Sequence, residues 1–131
     1  MIKIPIIRLG KILLTSVQME LSDHEALEFQ NDLINKIAET EALGIAIDIT
    51  SLDVVDSYMA RIFNDTVSMA RLLGADVVIS GIQPFVAMTL VEMGGSLIQA
   101  ECAFNLEQAL KKLEARLATR GDLNLKRDGH E

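Results

Sequence analysis

The sequence predicts an α/β sandwich, a mixed β-sheet with about four helices packed against it, and three observations carry that expectation. Short runs rich in Ile, Leu and Val alternate with longer segments in which apolar residues recur every three or four positions. Two of those longer segments open on Ser or Asn followed three residues later by Glu or Gln, and glycines stand at the ends of others. With 131 residues, half of them hydrophobic, the chain has the length of one domain and enough apolar surface for one core.

Ile2 to Arg8 and Lys11 to Val17, parted by Leu9-Gly10, read as a hairpin-like pair of strands, with Pro5 suited to an edge or a bulge. Ser22-Asp23-His24-Glu25 has the spacing of a capping box, so a helix runs from about Asp23 to about Glu39 with Ala26, Phe29, Leu33 and Ile37 on its core face. Gly44 introduces Ile45 to Ile49, an almost unbroken apolar run that suits a central strand covered on both faces. A second helix starts near Asp56, carries Ala60, Phe63, Val67, Ala70 and Leu73 on one stripe, and stops at Gly74. Asp76 to Ser80 is the next strand. Pro84 opens a third helix, where its fixed φ is already helical, and Gly94-Gly95 ends it. Ser96 to Phe104 has no clean period, so only a short strand around Leu97 to Gln99 is expected there. Asn105-x-x-Gln108 caps the last helix, whose stripe is Leu106, Ala109, Leu110, Leu113 and Leu117. The domain is expected to span residues 1–118, and residues 119–131 read as a polar, frayed tail.

Composition narrows the function. Twelve Lys and Arg against 19 Asp and Glu give a net charge of −7, which opposes nucleic acid, and 4% aromatics without Trp give no stacking platform. The lone Cys102 and the isolated His24 and His130 suggest neither a disulfide framework nor a zinc site. Pro5 and Arg8 interrupt the only candidate leader, and no apolar run reaches the roughly 18 residues of a membrane span. The reading is a cytoplasmic protein with no nucleic-acid or membrane partner and no cofactor.

Phosphate-cradling glycine motifs are absent, and a Ser-His-Asp set would have to use His24 or His130, neither well placed. Asp48, Asp53 and Asp56 gather after the central strand, where open α/β sheets put their sites. A receiver-like metal site would need an acidic pair after the first strand too, and that strand ends Ile7-Arg8-Leu9-Gly10. A solvated acidic loop is the simpler reading. Cys102 reads as a small core residue, Arg120-Gly121-Asp122 as a chance string, and Met59, Met69, Met88 and Met93 as core or interface filler.

Asp56-Ser57 is the pair with chemical content. Its serine is either a helix cap or an exposed phosphate acceptor. If Asp56 is the N-cap, Ser57 falls on the first helical residue with its hydroxyl free. A phosphate there would meet the positive end of the helix dipole and add about 1.5 to 2 negative charges beside Asp53 and Asp56. The fold would survive while the surface changed.

The run from Ala46 to Ser57, with Leu73-Gly74-Ala75 and Val77 to Pro84, resembles the STAS domain family, and the likeness extends from Ile4 to about Leu117. Lys3 to Ile6, Ser16 to Leu21, Phe29 to Leu33, Asp56-Ser57-Tyr58 and Gly81 to Pro84 resemble more narrowly its RsbS-like branch, the small scaffold component of the stressosome. That resemblance implies a non-catalytic scaffold and switch. Its partners would be an RsbR-like STAS paralogue bearing an N-terminal sensory domain, an RsbT-like serine kinase, and other copies of itself. It places the phosphoacceptor on Ser57, whose phosphorylation would release the kinase in stress-response signalling. Asp53, Asp56, Tyr58 and Arg61 are the neighbours that would shape the kinase-docking surface. Met59 and Ile62 are expected to be exposed and available to an interface. Tyr58-Met59 departs from the small residues common after the serine in free anti-sigma-factor antagonists, which favours the scaffold over an antagonist of that kind. Two further functions compete with the scaffold: a small-ligand or nucleotide-binding STAS module, and a receiver-like phosphotransfer domain using Asp48 or Asp53.

Overall fold

The computed structural model describes residues 3–92 and 100–120. Among these residues nine elements follow in chain order: β1 (Ile6–Leu9), β2 (Ile12–Ser16), α1 (Asp23–Thr40), β3 (Gly44–Asp48), α2 (Ser57–Leu72), β4 (Asp76–Ser80), α3 (Pro84–Glu92), β5 (Glu101–Ala103) and α4 (Leu106–Thr119). The strands form one sheet in the order β1-β2-β3-β4-β5, with β1 antiparallel to β2 and the other pairs parallel. β3 is central. This is the mixed α/β sheet with four helices that the residue pattern predicts.

Local chemistry accounts for the boundaries. Gly10, at φ 61°, takes the left-handed turn between β1 and β2 that a side chain would strain. Ser22 and Glu25 close a complete capping box: Ser22 Oγ accepts from the Glu25 N–H, and Glu25 Oε1 accepts from the Ser22 N–H at 2.9 Å. The hydrogen bond from the Ser22 backbone is the main cause holding the Glu25 carboxyl below its ordinary pKa. α4 has half of such a box. Gln108 N–H donates to Asn105 Oδ1, but Gln108 Oε1 accepts from the Phe104 N–H rather than from the cap itself.

Alternation along the strands divides the core. Leu13, Ile45, Ile47, Val77 and Ile79 face α1, α2 and α3, which bring Phe29, Leu33, Ile37, Phe63, Val67, Val86 and Leu90 to that side. Ile12, Ala46 and Val78 face Ala109, Leu113 and Leu117 of α4. α1 and α2 are joined inside the larger core by Gln30 Nε2, which donates to Thr66 Oγ1 at 3.1 Å and the Ile62 carbonyl at 3.4 Å. That pairing satisfies a buried amide that would otherwise be costly.

Several expectations are corrected. Met59 and Ile62 are not exposed: they are 6% and 4% accessible and belong to the larger core. α2 is packed by α1 as well as by the sheet, so it buries a wider arc than one stripe. Leu73, assigned to that stripe, is instead exposed at the helix C-cap, where the chain turns out toward Gly74. Cys102 is exposed rather than a core residue, because β5 is a short edge strand that no further strand among the described residues covers. Met69 and Met88 are exposed as well. Arg120 is not loose, since its guanidinium donates to Asp76 at 3.0 Å. The strand expected at Leu97 to Gln99, the Gly94-Gly95 stop, Met93 and residues 121–131 lie outside the described residues; the strand that is seen, β5, begins at Glu101.

Candidate functional site

The site lies at the C-terminal ends of β3 and β4, the end of a parallel sheet at which loops leave the strands for helices. Asp48 ends β3. Its Oδ1 accepts from Ser80 Oγ at 2.7 Å and Thr50 Oγ1 at 2.8 Å, and its Oδ2 accepts from the Thr50 N–H at 3.4 Å. Ile49 N–H donates to the Ser80 carbonyl at 2.9 Å, which continues the β3–β4 ladder by one residue. Gln83 Nε2 reaches back to the Thr50 carbonyl at 2.7 Å. Gly81, at φ 77°, lets the two loops touch: a Cβ there would overlap the Thr50 side chain and lie 2.9 Å from Thr50 Cα. Leu52 and Val55 then drop into the core and pin the loop from below.

That loop delivers Asp56 in an extended conformation (φ −81°, ψ 174°), and its Oδ1 accepts from the Met59 N–H at 2.8 Å. Asp56 is therefore the N-cap of α2. Ser57, the first helical residue, is exposed, and its hydroxyl has no hydrogen-bond partner among the described residues. The cap role that the sequence leaves open for Ser57 is filled by its neighbour. Asp53 is exposed, Tyr58 is half-buried against the larger core, and Arg61 is exposed without an ion-pair partner among the described residues. Arg61 stands four residues after Ser57, one helical turn along the same face.

The three acidic residues expected to cluster are used separately. Asp48 is engaged by two hydroxyls, Asp56 by the helix cap, and Asp53 is exposed to solvent. Among the described residues, no group of three or more His, Cys, Asp or Glu is placed to hold a metal ion. The exposed thiol of Cys102 has its pKa raised by partial desolvation, opposed by Lys112, so it lacks the depressed pKa of a reactive thiolate. Thr50, Ser80, Gly81 and Gln83 do not stand out in the sequence as site residues, yet they set the position of the loop that carries Asp56. Asp48-x-Thr50 is a turn-forming pattern that could have pointed to the loop, but the Ser80 contact spans 32 residues and has no local signal.

The chain belongs to the STAS domain family: the family model for the STAS domain matches residues 3–113. Within that family it is similar to RsbS. A solved structure of a serine-to-glutamate variant of Moorella thermoacetica RsbS is 33% identical, with a TM-score of 0.81, covering 88% of this chain and 98% of that one. A chain from the molecular architecture of the stressosome, a signal integration and transduction hub, is 35% identical with a TM-score of 0.76, covering 85% and 96%. Among curated proteins, the RsbT co-antagonist protein RsbRA of Bacillus subtilis is 28% identical over 91 residues, 70% of this chain. The chain spans about a third of the length of that relative. No helix among the described residues is long and apolar enough to cross a membrane.

Proposed function

We propose that this chain is a non-catalytic scaffold and phosphorylation switch of a stressosome, acting in the cytoplasm. It holds an RsbT-like serine kinase and releases it when Ser57 is phosphorylated. One observation carries the reading: at the start of α2 the cap is made by Asp56, which leaves the Ser57 hydroxyl exposed and unbonded among the described residues, at the end of a packed helix. A kinase can reach that oxygen without unfolding the site. The phosphate would be tolerated at the helix N-terminus and could draw on Arg61 one turn along, yet it adds about 1.5 to 2 negative charges to a surface that already carries Asp53 and Asp56. Asp53, Asp56, Tyr58 and Arg61 form the docking surface around the acceptor. The similarity to RsbS, to a stressosome chain and to an RsbT co-antagonist supports the partners: an RsbR-like STAS paralogue, an RsbT-like kinase and further copies of the chain.

The test is phosphate transfer from ATP by an RsbT-like kinase, followed by peptide mapping. One phosphate per chain is expected on Ser57, and none on Ser57→Ala. Transfer that persists in Ser57→Ala would refute the assignment.

A further inference from the structure

At the end of the sheet away from Ser57, where β3 and β4 begin, the described residues leave a groove of about 280 Å³. Its walls come from three helix ends: Ile37 and Glu41 at the end of α1, Leu43 on the way into β3, Leu73 at the end of α2, and Arg120 at the end of α4. Leu73 forms an apolar rim and is 48% accessible. The volume falls below the roughly 300 to 1,000 Å³ of clefts that take small ligands, and it suits a pair of apolar side chains.

One side of the groove carries unbalanced negative charge. The C-terminal end of a helix favours a cation, and α2 and α4 place Arg71 and Arg116 in their last turns, whereas α1 has no basic residue in its own. Glu41 follows that end of α1 and adds a full charge. It is exposed, with no ion-pair partner among the described residues. It is also their one non-glycine residue at positive φ (54°), a left-handed position that glycine or asparagine would occupy with less strain. An apolar groove thus opens beside a carboxylate held in a strained conformation. Its complement is a segment in which leucine-sized side chains are followed by cations.

The chain carries such a segment at the mouth of the groove. Arg120 lines the groove and is held on Asp76 at 3.0 Å, and the sequence continues from it as Gly121-Asp122-Leu123-Asn124-Leu125-Lys126-Arg127. Leu123 and Leu125 are the only large apolar residues after Arg120. They alternate with polar residues, so an extended segment turns both to one side. At up to about 3.6 Å per residue, Leu123 reaches at most about 11 Å and Leu125 about 18 Å from Arg120, enough to cross a groove that Arg120 itself borders. Two cations follow directly.

We infer that residues 121–127 fold back over this groove as an extended strap, seating Leu123 and Leu125 against Leu43 and Leu73 and bringing Lys126 and Arg127 to Glu41 and the end of α1. The strap ties the ends of α1, α2 and α4 together beside the Asp76 cluster. None of residues 48–61 lines the groove, so Ser57 stays open while the strap is seated.

The inference is independent of the phosphorylation switch. Nuclear Overhauser contacts in the full chain, labelled at its leucine methyls, test it first: cross-peaks from Leu123 and Leu125 to Leu43 and Leu73 are expected within one chain. Glu41→Lys should weaken them, and Lys126→Glu with Arg127→Glu added to it should restore them. Limited trypsin digestion, read by mass spectrometry, tests the same contact by rate. Cleavage after Lys126 and Arg127 should speed up about tenfold in Leu123→Asp with Leu125→Asp, and likewise in Leu73→Lys, as the docked state is lost. Leu27→Lys, at an exposed position near the other end of α1, should leave the rate unchanged. Absence of the cross-peaks in the unaltered chain would overturn the inference. So would cross-peaks found only between differently labelled chains in a mixed sample, which would make the occupant a second copy's tail, or equal acceleration by Leu27→Lys, or no rescue in the charge swap.

Discussion

At the scale of single residues, Asp56 takes the cap that the sequence leaves open between it and Ser57, and Ser57 is left exposed. Asp56 satisfies the Met59 N–H, so Asp56→Ala should cost about 1 kcal/mol of stability, within the range measured for lost N-caps. Chemical denaturation would measure it. Ser57→Ala removes no hydrogen bond among the described residues and should lie within about 0.5 kcal/mol of the unaltered chain, as surface substitutions do. The reverse order of the two costs would mean that Ser57 is the cap. The identity of the pair is legible from its Asp-Ser spacing before an apolar helical stripe, but the division of labour is not. It depends on backbone angles at Asp56, which the loop sets.

Elements explain where that loop comes from. Ser80 and Thr50 hold Asp48, Gly81 admits Thr50, and Gln83 closes the contact, so the β3–α2 and β4–α3 loops behave as one support for the start of α2. Gly81→Ala would impose a left-handed backbone on a side chain and force it against Thr50. It should cost about 2 to 4 kcal/mol and slow phosphate transfer to Ser57 by displacing the acceptor. Thermal melts and initial rates of labelling would check both effects; an unchanged rate would mean that the support does not position Ser57. Elements are legible in the sequence where local chemistry is decisive, as at the Ser22–Glu25 box, the Gly44 strand and Pro84. They are not where neighbours decide. β5 has three residues and no period of its own, because pairing with β4 makes it a strand. Met59 and Ile62 look like interface residues only if α2 buries a single apolar stripe, whereas α1 packs against that helix as well. Cys102 reads as core because its place on an edge strand is a property of sheet order, which no local pattern carries.

For the whole molecule, the far end of the sheet is closed by charge. Asp76 at the start of β4 accepts from Arg71 at 2.9 Å and Arg120 at 3.0 Å, with Arg116 at 3.6 Å, so one nearly buried carboxylate ties α2, β4 and the end of α4 together. Asp76→Ala would remove the carboxylate shared by Arg71, Arg116 and Arg120 and leave their like charges close together, with Arg116 still held by Glu101. A loss of about 1 to 3 kcal/mol is expected, reduced for the partly exposed arginines and smaller at high salt, since screening relieves their repulsion. Denaturation at low and high ionic strength would measure it, and a salt-independent loss would contradict the electrostatic origin. This cluster lies at the opposite end of the strands from Ser57, so the fold is fastened at one end while the surface proposed to take up phosphate lies at the other. The central claim is that phosphate on Ser57 controls capture of the kinase. The most direct measurement is the affinity of an RsbT-like kinase, by calorimetry, for the unmodified chain, the chain phosphorylated at Ser57, and Ser57→Ala. Tight binding to the first and third with a loss of at least about tenfold for the second is predicted; equal affinity for the phosphorylated and unmodified chains would contradict it.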